Sequence, residues 1–206
     1  RREGEIQALA KILSFLRRAA VMLKTEPDQV ILPLDKLVGD VMEFTTLASV
    51  TEQDDGSVIL RIFVGKKVTR QYADAVAEKL LAEFVRIRSN PVPKDKVRIE
   101  IVGDLSESGA SQPRSLTTAP VWVKRRPIAL LAMTSQDKEV SLGQRMLLDA
   151  MALHYQVVME RVASVKERRQ LRRRVQTITT RLHDQQFLID ELQRLQQLKS
   201  LSLIHI

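Results

Sequence analysis

The chain predicts an α+β fold, with a mostly antiparallel sheet, helices on one side, and a long C-terminal coiled-coil helix after it. Three observations carry this. No Pro follows Pro127 and no Gly follows Gly143, so nothing interrupts a helix through the last third of the chain. Upstream, short β-rich segments are separated by turn signals. The order of patterns is helix, helix, strand, strand, helix, strand, loop, strand, strand, helix, which groups helices against a sheet without a repeating βαβ unit.

Taken from the start, Ile6, Leu9, Leu13, Leu16, Ala20 and Leu23 repeat at alternating steps of three and four. They give residues 1–24 a seamed helix. Residues 25–141 form the compact core. Thr25 to Gln29 is a turn in which Pro27 stops the first helix. Pro33 opens a second helix whose face is Leu34, Leu37, Val38, Val41 and Met42. Thr45 to Thr51 and Ser57 to Val64 are strands around the turn Asp54-Asp55-Gly56.

Arg70 to Arg88 is an amphipathic helix with Thr69 as N-cap and Ala73, Val76, Ala77, Leu80, Phe84 and Ile87 on its apolar face. Asn90-Pro91-Val92-Pro93 ends it. Lys96 to Val102 alternates Val97, Ile99 and Ile101 with Arg98 and Glu100, as a strand with one wet face does. Asp104 to Thr117 is polar and reads as a mobile loop. Ala119 to Val123 and Ile128 to Thr134 are strands around the basic turn Lys124-Arg125-Arg126-Pro127.

Residues 142–200 make the long helix, on the order of 90 Å. Leu148, Met151, Tyr155, Val158, Val162 and Val165 give one heptad-like run. Leu171, Val175, Ile178, Leu182, Ile189 and Leu192, with Gln185 and Gln196 at seam positions, give another. Continuing the first run would put Arg169 and Arg172 in the seam, so the register breaks between them. The break lies in a basic cluster, Lys166, Arg168, Arg169 and Arg172 to Arg174, read as a solvated face. Seamed helices on both flanks of one core point either to a helical bundle at its base and a homodimer, or to seams that pack on the chain's own core.

Composition excludes several chemistries. The chain has no Cys, so disulfides, thiolate zinc sites and Cys nucleophiles are out. The longest apolar runs are far too short to span a bilayer. No Gly-rich phosphate loop follows a strand. The histidines, His154, His183 and His205, lack ligand-spaced carboxylates, so no metal site is expected, and His154 is read as a helix-surface or interface residue. The net charge of +8 lies largely in the long helix, without interleaved aromatics, so nucleic acid is not the expected partner. A cytoplasmic protein is expected.

The run Ala119-Pro120-Val121-Trp122-Val123-Lys124-Arg125-Arg126-Pro127-Ile128-Ala129-Leu130-Leu131-Ala132-Met133 resembles the paired closing strands of GAF domains. Ser141-Leu142-Gly143-Gln144-Arg145-Met146-Leu147-Leu148-Asp149-Ala150-Met151-Ala152 resembles the helix that follows them. Pro127 departs from the family's Gly-containing turn, and Gln144 stands where an acidic residue is common. The resemblance covers Leu9 to Val165. It implies a GAF-like sensory core that either has room for a small-molecule ligand near Arg70 to Phe84 and Asp104 to Thr117 or, holding none, serves as a dimerising spacer. No cofactor is evident, and the lack of Cys rules out a covalently held bilin.

Asp190 to Ser200 is similar to the run-up to the phosphoacceptor helix of sensor histidine kinases. Residues 201–206, Leu-Ser-Leu-Ile-His-Ile, abandon the preceding texture. They read either as a foreign terminal segment or as the start of a phosphoacceptor region, with His205 as the candidate phosphoacceptor. The expectation is a piece of a bacterial two-component signalling protein. It would relay a ligand or domain signal through a coiled coil to a histidine kinase output. A diguanylate cyclase input module is the alternative within that class, and a basic coiled-coil binding protein the alternative outside it. No complete catalytic site is visible.

Overall fold

A computed structural model describes residues 6, 10–15, 17, 43–53 and 55–204. The predicted helix from Pro33, the turn Thr25 to Gln29 and the seam positions Leu9, Leu16, Ala20 and Leu23 lie outside the described residues, as does His205. The elements are β1 (Thr46–Glu52), β2 (Val58–Val64), α1 (Arg70–Arg88), a 3-10 turn at Lys94–Lys96, β3 (Val97–Val102), β4 (Ser115–Val123), β5 (Arg126–Ser135) and α2 (Leu142–Ile204). The chain falls into two compact units, residues 1–160 and 161–206.

The strands form one mixed sheet in the order β3-β2-β1-β5-β4. β1–β2, β1–β5 and β4–β5 are antiparallel; β2–β3 is parallel. The parallel pair follows from α1, since a helical crossover returns the chain to the sheet in the same direction. Gly56 turns the β1–β2 hairpin at φ 77°, which a side chain would resist. The β4–β5 hairpin turns on Lys124 and Arg125 alone, at φ 50° and 66°. Two successive left-handed residues make the primed turn that matches strand twist. The basic turn is therefore shorter than the sequence suggested. Arg126 and Pro127 already belong to β5, with Pro127 opposite Trp122 beside a register shift at Val121 and Trp122. Pairing of β5 with β1 begins only at Ala129, so no β1 carbonyl waits for the missing Pro127 N–H.

The sheet is covered on both faces, which corrects the expectation of helices on one side. Ala48, Val50, Val58, Leu60, Ile62, Leu130 and Ala132 pack with Tyr72, Ala73, Val76, Ala77, Leu80 and Phe84 of α1. Leu47, Ala119, Val121, Ala129, Leu131 and Met133 pack on the opposite face with Leu147, Leu148, Met151, Ala152 and Tyr155 of α2 and with Ile12 and Phe15. The physical reason is visible in β5. Its run Ile128 to Met133 is continuously apolar rather than alternating, as a strand buried on both faces must be. Each large apolar side chain buried here contributes on the order of 1.5–3 kcal/mol.

α1 keeps its predicted bounds. The Thr69 hydroxyl accepts from Tyr72 N–H at 3.2 Å, and Ser89, left-handed at φ 60°, closes the far end by donating to the Val85 carbonyl. α2 opens on a reciprocal cap: Ser141 N–H donates to Gln144 Oε1 at 2.8 Å, and Gln144 N–H to Ser141 Oγ at 3.3 Å. Gln144 thus does at this terminus what an acidic residue would do, since the cap needs only a side-chain acceptor. β4 starts at Ser115, inside the segment read as a mobile loop, and the rest of that loop is tied down. Ser106 N–H donates to the Val68 carbonyl at 2.8 Å, and Thr69 Oγ1 donates to the Ala110 carbonyl at 2.9 Å.

Candidate functional site

In the zone where the resemblance implied room for a ligand, the layer between α1 and strands β1, β2 and β5 is filled, while an open groove lies between α1 and the edge strand β3. Tyr72, Val76, Leu80 and Phe84 have no exposed surface, nor do Val50, Leu60, Ile62, Leu130 and Ala132 opposite them. A hole wide enough for water would leave surface on its walls. A ligand at this layer would have to open it. The polar content here is a buried hydroxyl cluster. Tyr72 Oη donates to Thr134 Oγ1 at 2.9 Å, and Thr134 Oγ1 lies 2.6 Å from Thr46 Oγ1. Burial pushes the Tyr72 phenol above its ordinary pKa, and the bond to Thr134 partly offsets this.

The first heptad run is not a free seam. Leu148, Met151, Tyr155 and Val158 are buried within the first unit, the first three in the cluster on the sheet's second face. His154, read as a surface or interface residue, is buried on the same side of α2, its ring meeting Phe15 edge to face at 6.4 Å. Its Nε2 has no hydrogen-bond partner, and burial holds its pKa below the ordinary value. Spacing alone could not say which side of the stripe met protein. The N-terminal seam divides similarly: Ile12 and Phe15, off the predicted seam, are buried, while Ile6 and Leu13, on it, are about two-thirds exposed at 66% and 65%.

The first unit therefore carries a second, uncovered apolar set on α2: Leu142, Met146, Leu153 and Val157. In the second unit the heptad run Leu171, Val175, Ile178, Leu182, Ile189 and Leu192 is 48–61% exposed throughout. Arg168, Arg169 and Arg172 to Arg174 are also exposed. The hydroxyls of Thr177, Thr179 and Thr180 donate to carbonyls one turn back, at 3.0–3.1 Å, so this stretch solvates its small polar groups internally. His183 is exposed on the same helix. Among the described residues no group of three His, Asp or Glu is placed to hold a metal ion, and no helix is long and apolar enough to cross a membrane.

No protein-family model matches the chain, and no curated protein matches its sequence.

Proposed function

We propose that this chain is the sensory and dimerisation region of a signal-transduction protein, and that α2 relays a change in the core to an output domain. The observation that carries the reading is the exposed heptad stripe from Leu171 to Leu192. A stripe of period 3.5 left in water along a helix has one common resolution, a second helix seated on it. A second copy of the chain supplies that helix with the same stripe in register. The similarity of Asp190 to Ser200 to the approach of a phosphoacceptor helix supports a histidine kinase as the output. A ligand or neighbouring domain that favours one packing of the dimer would shift the twist or register of the paired helices.

The test is the mass of the whole chain in solution across a concentration series, for the wild type and for a variant with Leu182, Ile189 and Leu192 changed to Ser. Each seam side chain taken from water into a closed seam contributes roughly 1.5–3 kcal/mol. Losing three per chain moves the dissociation constant by several orders of magnitude. A wild-type dimer and a monomeric variant are expected. A wild-type monomer at high concentration removes the relay. The exposed Arg168, Arg169 and Arg172 to Arg174 favour the second reading, an anion-binding coiled coil, if the chain then retains polyanion at physiological salt.

A further inference from the structure

We propose that the outer edge of β3 is a homotypic docking edge: it pairs antiparallel with β3 of a second copy, centred on Ile99, and joins two five-stranded sheets into one. Among the described residues β3 is last in the strand order, so its outer backbone N–H and C=O groups face no described strand. The strand is also incompletely covered. Ile99 is 46% exposed, although it belongs to the alternating set Val97, Ile99 and Ile101 that predicted burial on one face, and Val102 at the strand's end is 45% exposed. α1 leaves an open apolar groove of about 360 Å³ above β3, lined by Ala77, Leu81, Val97 and Ile99 and flanked by Asp74 and Glu78.

The sequence of the edge selects the occupant. Val97, Ile99 and Ile101 register with Val58, Leu60 and Ile62, whose side chains form the α1-facing core, so they lie on that side of the sheet. Arg98 and Glu100 lie on the other side. Their charges are already drawn together, Arg98 Nε to Glu100 Oε1 at 3.2 Å, and Glu100 also receives Arg61 at 2.6 Å. A two-fold axis at Ile99 sets Arg98 opposite the partner's Glu100 and Glu100 opposite the partner's Arg98. Ile99 then meets the partner's Ile99, and Val97 meets the partner's Ile101.

Other registers lose this match. A slip by two residues sets Arg98 against Arg98 or Glu100 against Glu100, and like charges directly opposite repel. A slip by one sets charged side chains against apolar ones, because every side chain then faces the wrong neighbour. A lysine or arginine placed only to blunt the edge would not bring its own counter-charge two residues on. The edge is thus self-complementary in one register. The contact uses no residue of α2, so it stands or falls independently of the helix seam, and both together would link dimers into longer assemblies.

The chain has no Cys, which allows a direct test. Ile99→Cys is made in the whole chain carrying the opened α2 seam, and crosslinked with a short bis-maleimide. Pro120→Cys, exposed on the sheet's opposite edge strand β4, is the collision control. Ile99→Cys is expected to form covalent dimer about tenfold faster than the control, and adding Arg98→Glu is expected to bring it down to the control rate. Arg98 is 77% exposed, so its change leaves the fold intact, and an unchanged melting temperature verifies this. Crosslinking of Ile99→Cys no faster than Pro120→Cys overturns the proposal. So does a rate that Arg98→Glu leaves unchanged.

Discussion

Thr134 is the residue on which the buried hydroxyl cluster depends, and removing it should cost more than removing the larger Tyr72 hydroxyl. Tyr72 Oη has one partner in the cluster, Thr134 Oγ1. Thr134 Oγ1 has two, Tyr72 and Thr46. In Tyr72→Phe one neutral hydrogen bond disappears, but the Thr134 and Thr46 hydroxyls still satisfy each other. The expected loss is about 0.5–1.5 kcal/mol. In Thr134→Val, nearly the same shape as Thr, two buried hydroxyls lose their partner at once. Each costs about 1–3 kcal/mol, so the loss is roughly 2–6 kcal/mol. In the double variant only the Thr46 hydroxyl is stranded, and its loss should fall well short of the sum of the two singles. Urea titration with a common m-value checks the order, and thermal melts should follow at about 2–4 °C per kcal/mol for a unit of this size. A Thr134→Val variant milder than Tyr72→Phe, or strictly additive losses, would refute the assignment of these hydroxyls as a mutually satisfied group.

Stability should fall as pH drops below 6.5, and His154→Leu should flatten that fall. The His154 pKa is depressed in the folded state by burial, so below 6.5 the unfolded chain takes up a proton that the folded one refuses. Chemical denaturation at pH 5 and pH 8 measures the difference, and an equal fall in the variant would acquit His154. Thr69→Ala should cost about 1 kcal/mol through the lost cap. It should also speed amide exchange at Ser106, whose N–H bonds to the neighbouring Val68 carbonyl, because the Thr69 tether to Ala110 goes as well. Unchanged exchange there would show that the loop is held by its backbone bonds alone.

What could be read from the sequence was whatever a single element decides for itself. α1 is bounded by its own cap, its own stripe and the prolines that follow, and its predicted ends hold. The Ser141 to Gln144 cap was missed, because Gln144 was read only as a departure from an acidic residue and not as the partner of a Ser three residues before it. The errors arose where the answer depended on a second element. An apolar stripe with steps of three and four states that one face is buried. It does not state whether the burying surface is the chain's own sheet or another helix. Leu148, Met151 and Tyr155 met the sheet; Ile6 and Leu13 did not. β5 carried the missing clue, because a strand apolar on both faces requires two covering layers. His154 became visible as a buried group only once the face of α2 that it shares had been placed.

The register break in α2 takes a different meaning from these burials. On spacing alone, two runs out of phase look like one seam with a weak joint among the arginines. The start of the first run, however, Leu148, Met151 and Tyr155, is buried in one cluster with Leu47, Ala119, Ala129, Leu131 and Met133 of the sheet. The second, from Leu171 onward, is exposed. If a second helix covers the later stripe, as proposed, the two stripes answer to different surfaces and have no reason to share a phase. A sheet face accepts a broad stripe, and α2 supplies one by adding Leu147 and Ala152 beside the heptad positions. A paired helix accepts only the narrow seam. The Arg169 and Arg172 that would interrupt a single continuous seam therefore interrupt nothing. They are exposed and fall between the stripe that meets the sheet and the stripe that is left in water.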